Sequence, residues 1–149
     1  MIHIDIPTLP LSSNHAYFDV VVGRGKKRRT QRVLTDEGKK YKLETTTFIV
    51  STYPQYLQMF KPNTAFGYII RLHFPNLLNS TWPEKAESRY KKLDASNRVK
   101  LLEDAMAKAF GIDDKVFLST RADKVQGEPR TEIWVWNMEE EDPYSVISA

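Results

Sequence analysis

The chain has 149 residues, of which 41% are hydrophobic and 28% are charged, and it contains no cysteine. This composition predicts one folded domain with a substantial core, and it excludes intrinsic disorder, a disulfide framework and a thiolate metal site. No apolar run approaches membrane-spanning length, and the first residues lack the layout of a signal peptide, so we expect a cytoplasmic protein that does not enter a membrane.

The net charge of +3 is distributed unevenly along the chain. Residues 24–42 are strongly basic, whereas residues 139–142 are all acidic. Basic residues that are concentrated in one segment indicate contact with a polyanion more strongly than a high isoelectric point does.

The first third of the chain predicts two strands, a basic hairpin and a helix. Isoleucines alternate with polar residues at 2–6, and residues 17–22 form a second apolar run, so both segments are predicted strands. Residues 10–14 between them have the composition of a loop. The cations at 26–29 are predicted at a hairpin tip or on a returning strand. Thr35 is a predicted N-cap for a helix that runs from about Asp36 towards Val50.

The later elements are predicted strands on either side of an amphipathic helix. Phe66 to Phe74 gives the strongest strand signal, and the irregular connection at 75–90 follows it. Trp82 in this connection is a candidate for stacking on a base, although anchoring at the surface is the commoner role. Residues 116–125 and 131–136 are predicted strands, and the turn between them predicts that they form a hairpin.

These elements predict an α/β fold of the α+β kind, with a small mixed or antiparallel sheet packed by two main helices. The predicted domain covers residues 1–138. Residues 139–149 are acidic and have neither periodicity nor core residues, so we expect a mobile C-terminal tail.

The central helix, within residues 92–114, carries the residue types best suited to catalysis or metal binding. Its polar arc contains Ser96, Asn97, Lys100, Glu103 and Asp104, with Ser96 as predicted N-cap and Gly111 as the stop. Asp94 precedes the helix and Asp114 follows it, and the helix separates its ends by roughly 20 Å, so these acids meet only if the chain doubles back. The pattern leaves two interpretations open: an ordinary solvated face, or one charged pocket for metal-dependent chemistry.

Three sequence motifs together resemble one family. The central motif consists of Asp94, Asn97, Lys100, Asp104–Ala105, Gly111 and Asp113–Asp114. The two N-terminal motifs are Pro10-x-Ser12-x-Asn14 and Leu34-Thr35-x-x-Gly38-x-x-Tyr41. Together they resemble the RusA-like Holliday-junction resolvases, endodeoxyribonucleases common in phages and prophages, over most of residues 6–136. The family usually has Asp-x-Asp-Asn where this chain has Asp94-Ala95-Ser96-Asn97, so Ser96 replaces a carboxylate.

The resemblance implies a nuclease that uses Mg²⁺, with Mn²⁺ as a possible substitute, to resolve Holliday junctions or other branched DNA as a homodimer. It implies that Asp94, Lys100 and Asp114 are catalytic, and that the metal ligands are Asp94, Asp113 and Asp114. Ser96, Asn97 and Asp104 are expected to support the site. We expect DNA contacts from Asn14, Lys26, Lys27, Arg28, Arg29, Arg32 and Arg98.

Other functions receive less support from the residues. Ser96, in place of a carboxylate, favours an alternative function. In it the chain is a phage recombination or replication accessory protein that binds branched DNA or RNA and has lost efficient cleavage. The basic segment is also compatible with RNA or single-strand binding in which the acidic motif is structural. The three histidines have no zinc-site spacing, no Gly-x-Ser-x-Gly motif occurs, and glycoside hydrolysis would leave the basic segment without a purpose.

Overall fold

The structure, a computed structural model, describes residues 1–93 and 95–140, except for the side chains of Ser13 and Asn97. Most of the predicted tail, residues 141–149, lies outside this description. The helices and strands in chain order are β1 (Ile2–Ile6), α1 (Ser13–Ala16), β2 (Tyr17–Val22), β3 (Arg29–Leu34), α2 (Asp36–Thr52), β4 (Phe66–Phe74), α3 (Ala95–Phe110), β5 (Phe117–Gln126) and β6 (Arg130–Asn137). Short 3-10 turns occupy Gly25–Lys27, Pro54–Met59 and Asp114–Val116.

The main sheet has four strands in the order β1-β6-β4-β5, and the predicted mixed α/β fold is confirmed. β4 pairs parallel with β5 and antiparallel with β6, so the sheet is mixed. The predicted hairpin between the last two strands is wrong, because β4 lies between them. β4 is buried along nearly its whole length and needs a partner on each side, and residues 127–129 cross its end, where the Gly127 N–H donates to the Phe74 carbonyl at 3.0 Å.

Helices α2 and α3 pack together over one face of this sheet. The core contains Ile70 and Leu72 from β4, Ile133 from β6, Ile49 from α2 and Met106 from α3, each with no solvent exposure. Burial of such side chains stabilises the fold by about 1.5–3 kcal/mol each. A smaller cluster of Ala16, Tyr41 and Leu101 joins α1, α2 and α3. Helix α3 therefore packs against the sheet on one side and against α1 and α2 on another.

The helix ends are set by local chemistry. Thr35 Oγ1 accepts a hydrogen bond from the Gly38 N–H at 3.0 Å, which confirms the predicted N-cap of α2. Gly111 has φ of +68°, and the Ile112 N–H donates to the Ala107 carbonyl at 3.0 Å, which confirms the predicted stop of α3. Ser96 lies inside the first turn of α3 and so does not occupy the predicted N-cap position.

Candidate functional site

A cavity of about 510 Å³ lies between the first turns of α3 and the strands β4 and β5. Its wall includes Tyr68, Leu93, Ser96, Thr120, Arg121 and Lys124. Lys124 Nζ donates to the Leu93 carbonyl at 2.8 Å and so fixes the segment that enters α3 to strand β5. Ser96, the predicted supporting residue, therefore faces an open cavity between a helix and the sheet.

Ser96, Lys100 and Glu103 lie on one side of α3, because seven residues correspond to nearly two helical turns. The Tyr68 hydroxyl on β4 donates a hydrogen bond to Glu103 Oε2. Burial raises the pKa of Glu103 above its ordinary value, and the charge of Asp114 raises it further, while the bond from Tyr68 and the charge of Lys100 lower it. The Glu103 carboxylate is thus held by a hydrogen bond from β4. The charges of Lys100 and Asp114, the two predicted catalytic residues that the structure describes, both act on its pKa.

Asp114 lies within electrostatic range of Glu103 in the middle of α3. After Gly111 the chain turns back, and Asp114 begins the 3-10 turn that leads into β5. Its charge raises the pKa of both Glu103 and Tyr68, although burial is the main cause of each shift. The chain therefore doubles back, since β5 returns to the first turns of α3, and the charge of Asp114 acts on Glu103, roughly 12 Å along the helix axis from the first residue of α3.

Two predicted site residues cannot be placed in this arrangement. Asp94 lies outside the described residues, and the side chain of Asn97 lies outside them as well. Among residues 1–93 and 95–140, no group of three or more acidic or histidine side chains is arranged to hold a metal ion.

Asp113 is engaged with its own turn. Its Oδ1 accepts a hydrogen bond from the Lys115 N–H at 3.1 Å, and its Oδ2 lies 3.2 Å from Lys115 Nζ. The backbone hydrogen bond from Lys115 and then its side chain hold the pKa of Asp113 below its ordinary value. In the structure the exposed Asp113 carboxylate caps the turn that positions Asp114.

Strands β2 and β3 form a separate two-stranded sheet, which we call the basic hairpin (residues 17–34). It carries the exposed cations Lys26, Lys27, Arg28, Arg29 and Arg32, and Asn14 is exposed just before it. The hydroxyl of Tyr17 donates to Asp104 Oδ2 at 2.9 Å, and the Arg32 guanidinium lies 5.2 Å from the centre of the Tyr17 ring. Asp104, predicted to support the site, thus anchors the basic hairpin to α3 beside Glu103.

Arg98 differs from the other predicted DNA-binding residues. Its Nη1 donates to the Pro10 carbonyl at 2.7 Å, and its guanidinium lies 5.3 Å from the centre of the Phe74 ring. Its Nε atom is buried. The structure gives Arg98 a role in holding the N-terminal segment against α3 and β4, and we leave it out of the proposed DNA contacts.

The sequence interpretation did not single out Tyr68 or Glu103. Tyr68 is one apolar residue among several in a strand, and Glu103 is one member of a polar arc. Helical geometry could have indicated Glu103, because its seven-residue spacing from Ser96 places the two residues on the same side of α3. The contact between Tyr68 and Glu103 joins residues 35 apart, so no local pattern predicts it.

Comparison with known proteins identifies the family. Within the part of the chain that the structure describes, no helix has the length and apolar character to cross a membrane. No curated protein matches the sequence. The family model described as endodeoxyribonuclease RusA matches residues 19–136, which run from the basic hairpin through β6 and include Lys100, Glu103 and Asp114. The chain therefore belongs to the RusA endodeoxyribonuclease family.

Proposed function

We propose that the chain is a divalent-metal-dependent endodeoxyribonuclease that cleaves phosphodiester bonds in Holliday junctions or other branched DNA. One observation carries this proposal. The bond between Tyr17 and Asp104 fixes the basic hairpin to the helix that bears Lys100 and Glu103, beside Asp114. Arg32, whose guanidinium lies over the Tyr17 ring, is thereby held near carboxylates that suit phosphoryl chemistry, and the same two-stranded ribbon carries the cations at 26–29.

The oxygen donors fit Mg²⁺, or Mn²⁺ in its place. Mg²⁺ keeps several waters and binds through one or two carboxylates together with substrate phosphate, so it does not need a full cage of protein ligands. The residues proposed to hold it are Asp94 and Asp114, with Glu103 as a further carboxylate on the same side of α3. A bound divalent ion polarises the scissile phosphate and lowers the pKa of a water molecule.

The other residues of the site bind and orient. Lys100 is proposed to bind the scissile phosphate, because it is exposed on the same side of α3 as Glu103. Tyr68 holds the Glu103 carboxylate in one orientation through its hydrogen bond. Asp113 is proposed to act through the turn that it caps, which positions Asp114.

The test is cleavage of a four-way junction, a duplex and a single strand, each with and without Mg²⁺. We expect metal-dependent cleavage of the junction alone. Asp94→Asn and Asp114→Asn should abolish cleavage and leave junction binding nearly intact, because affinity resides mainly in the cations. Glu103→Gln should lower the cleavage rate. Glu44→Gln, which changes an exposed acid on α2, is the matched control. Full cleavage by Asp114→Asn would refute the site.

A second function is favoured by one observation, the presence of Ser96 where the family usually has a carboxylate. In this alternative the chain is a branched-DNA- or RNA-binding accessory protein with weak or no cleavage. Junction binding by the wild type without cleavage at any Mg²⁺ or Mn²⁺ concentration would select this alternative.

We further propose that the chain acts as a homodimer in the cytoplasm of a bacterial host. Two symmetry-related copies would present two sites to the two-fold symmetry of a four-way junction. Sedimentation of the free protein and of its junction complex tests this, and a complex with one copy per junction would contradict it.

A further inference from the structure

Two exposed aromatic rings and an arginine lie side by side in the connection between β4 and α3. Trp82 is 43% exposed and Tyr90 is 52% exposed. The Arg89 guanidinium lies 5.8 Å from the centre of the Trp82 ring and 5.6 Å from the centre of the Tyr90 ring. These three residues, which we call the aromatic cluster, present flat π surfaces and one positive charge to solvent.

The connection that carries the cluster is held in shape by hydrogen bonds. Leu78 and Tyr90 form an antiparallel bridge, and the Asn79 N–H donates to the Arg89 carbonyl at 2.9 Å. The Leu78 N–H donates to Gln126 Oε1 at 3.1 Å, which ties the connection to the end of β5. Because these bonds already order the backbone, a ligand of the cluster would meet a preformed surface and bind with a smaller entropic cost.

The chemistry of the cluster selects its ligand. Aromatic rings and an arginine plane stack on nucleobases, and every base has a face that suits them. Paired bases inside a duplex hide these faces, so the matching ligand is an unpaired or unstacked base. The connection at 75–92 contains four cations, Lys85, Arg89, Lys91 and Lys92, against two acids, Glu84 and Glu87, so it also favours the phosphates on either side of such a base.

The position of the cluster relates it to the candidate site. Tyr90 precedes Leu93 by three residues, and Leu93 lines the cavity beside Ser96. Three residues of chain span at most about 11 Å. A base on the cluster would therefore belong to a strand that can also reach the cavity beside Ser96.

We propose that Trp82, Arg89 and Tyr90 form a stacking site for unpaired nucleobases at the branch point of the DNA. This inference rests on the proposed function, because it takes branched DNA as the ligand. The aromatic cluster would be a base-binding surface separate from the carboxylates of the candidate site and from the cations of the basic hairpin. It would contribute to the preference of the protein for branched over fully paired DNA.

The test is a cycle that changes the protein and the DNA independently. Junctions with one unpaired thymine at the branch point are compared with junctions that carry an abasic site there, and binding is measured in EDTA so that cleavage does not interfere. We expect the wild type to bind the thymine-containing junction about 5- to 100-fold more tightly than the abasic one. Trp82→Ala should remove this preference, whereas its binding to the abasic junction stays unchanged.

Further variants separate stacking from charge and from folding. Trp82→Phe keeps an aromatic face and should retain most of the preference, and Arg89→Lys keeps the charge but should weaken the preference. Leu118→Ala, which truncates a 67% exposed side chain on β5, is the matched control and should retain the full preference.

The outcomes distinguish this inference from the proposed function. If the wild type binds junctions without any preference for the unpaired base, the stacking site is wrong and the proposed function stands. Equal losses on both junctions with Trp82→Ala would also refute stacking. A shift of Trp82→Ala from dimer to monomer would identify the cluster as a subunit contact and overturn the inference. Failure of the wild type to bind any branched DNA would overturn both proposals.

Discussion

The Tyr17 hydroxyl donates a hydrogen bond to Asp104 across 87 residues of sequence, and this bond joins the basic hairpin to α3. An isolated two-stranded ribbon is marginally stable in water, so its orientation depends on anchors of this kind. Arg32 stacks on the same tyrosine ring. The position of the hairpin cations relative to Lys100 and Glu103 therefore depends in part on this side-chain pair, together with the packing of Tyr17 and Leu34 on the Ala16, Tyr41 and Leu101 cluster.

We expect Tyr17→Phe to lower the free energy of unfolding by about 1 kcal/mol and to weaken junction binding, because the hairpin loses its bond to α3. Urea unfolding and junction titration measure the two effects. A double-mutant cycle with Asp104→Ala should give a coupling energy of about 1 kcal/mol. The matched cycle of Tyr17→Phe with Glu44→Gln should give none, and equal coupling in both cycles would contradict the anchor.

Gly67 on β4 faces Trp136 on the neighbouring strand β6, on the side of the sheet away from α2 and α3. A Cβ at position 67 would lie 2.3 Å from a ring carbon of Trp136, whose side chain is almost fully buried. We expect Gly67→Ala to destabilise the fold by about 1–3 kcal/mol, because the ring has to move. Gly127→Ala is the control, since its Cβ would approach only the His73 ring, at 3.2 Å. Equal losses in urea unfolding would refute this explanation.

The sequence predicted most elements because their signals are local. The alternation in β1 and β4, the Thr35 cap and the Gly111 stop each depend on neighbouring residues, and the structure confirms them. The four-residue helix α1 was missed, because so short a segment has no periodicity. The order of β5 and β6 was missed because the turn at 127–129 has the same composition whether it closes a hairpin or crosses over β4.

The same limit applies to the candidate site. Lys100 and Asp114 belong to a motif that is recognisable in the sequence, so both were predicted. The Glu103 carboxylate is held by a hydrogen bond from Tyr68, and Asp104 is bound by Tyr17. These contacts arise only when β4 and the basic hairpin pack against α3, so local patterns contain no information about them.

Glu132 on β6 contacts two histidines and an arginine on the sheet face away from the helices. His73 Nε2 lies 2.7 Å from Glu132 Oε2, the Arg130 guanidinium lies 3.3 Å from the same oxygen, and His3 Nε2 lies 3.5 Å from Oε1. Burial alone would raise the pKa of Glu132. The hydrogen bond from His73 and the charge of Arg130 outweigh burial and hold that pKa below its ordinary value of 4.5.

Because the pKa of Glu132 is lower in the folded than in the unfolded chain, its carboxylate stabilises the fold above pH 4.5, and this contribution is lost as the pH falls through the folded-state pKa. We expect Glu132→Gln to lower the free energy of unfolding by about 1–3 kcal/mol at pH 7. The difference from the wild type should shrink below pH 4.5 in urea unfolding. The exposed control Glu44→Gln should show neither effect, and a constant difference at every pH would contradict the assignment.

The tip of the basic hairpin is expected to carry much of the DNA affinity. Replacing Lys26, Lys27, Arg28 and Arg29 by glutamine should weaken junction binding and flatten its dependence on salt. Each lost phosphate contact lowers the slope of log K against log salt by about 0.9 on duplex DNA. The matched variant, with the same charge change at exposed sites, replaces Lys39, Lys40, Lys61 and Lys108. Similar slopes for the two variants would show that the hairpin tip does not contact DNA.

Ser96 provides the sharpest test of the metal site, because it lines the cavity in the first turn of α3 and stands where the family usually has a carboxylate. A hydroxyl is a neutral and weaker ligand for Mg²⁺ than a carboxylate. We therefore expect Ser96→Asp to lower the Mg²⁺ concentration that gives half-maximal junction cleavage, whatever happens to the maximal rate. Asparagine has nearly the shape of aspartate but no charge. Ser96→Asn should therefore leave the Mg²⁺ concentration for half-maximal cleavage unchanged or raise it.

A carboxylate at position 96 also lies at the positive end of the helix dipole, so Ser96→Asp should stabilise α3 by about 0.3–1 kcal/mol even without metal. Urea unfolding in EDTA measures this electrostatic effect alone. Repeating the unfolding with Mg²⁺ then isolates metal binding, because an ion that binds only the folded chain adds stability that rises with the logarithm of its concentration over its dissociation constant. If Ser96→Asp gains stability in EDTA but neither its Mg²⁺-dependent gain nor its cleavage titration differs from the wild type, residue 96 acts through the helix alone. The missing carboxylate would then have to come from Glu103.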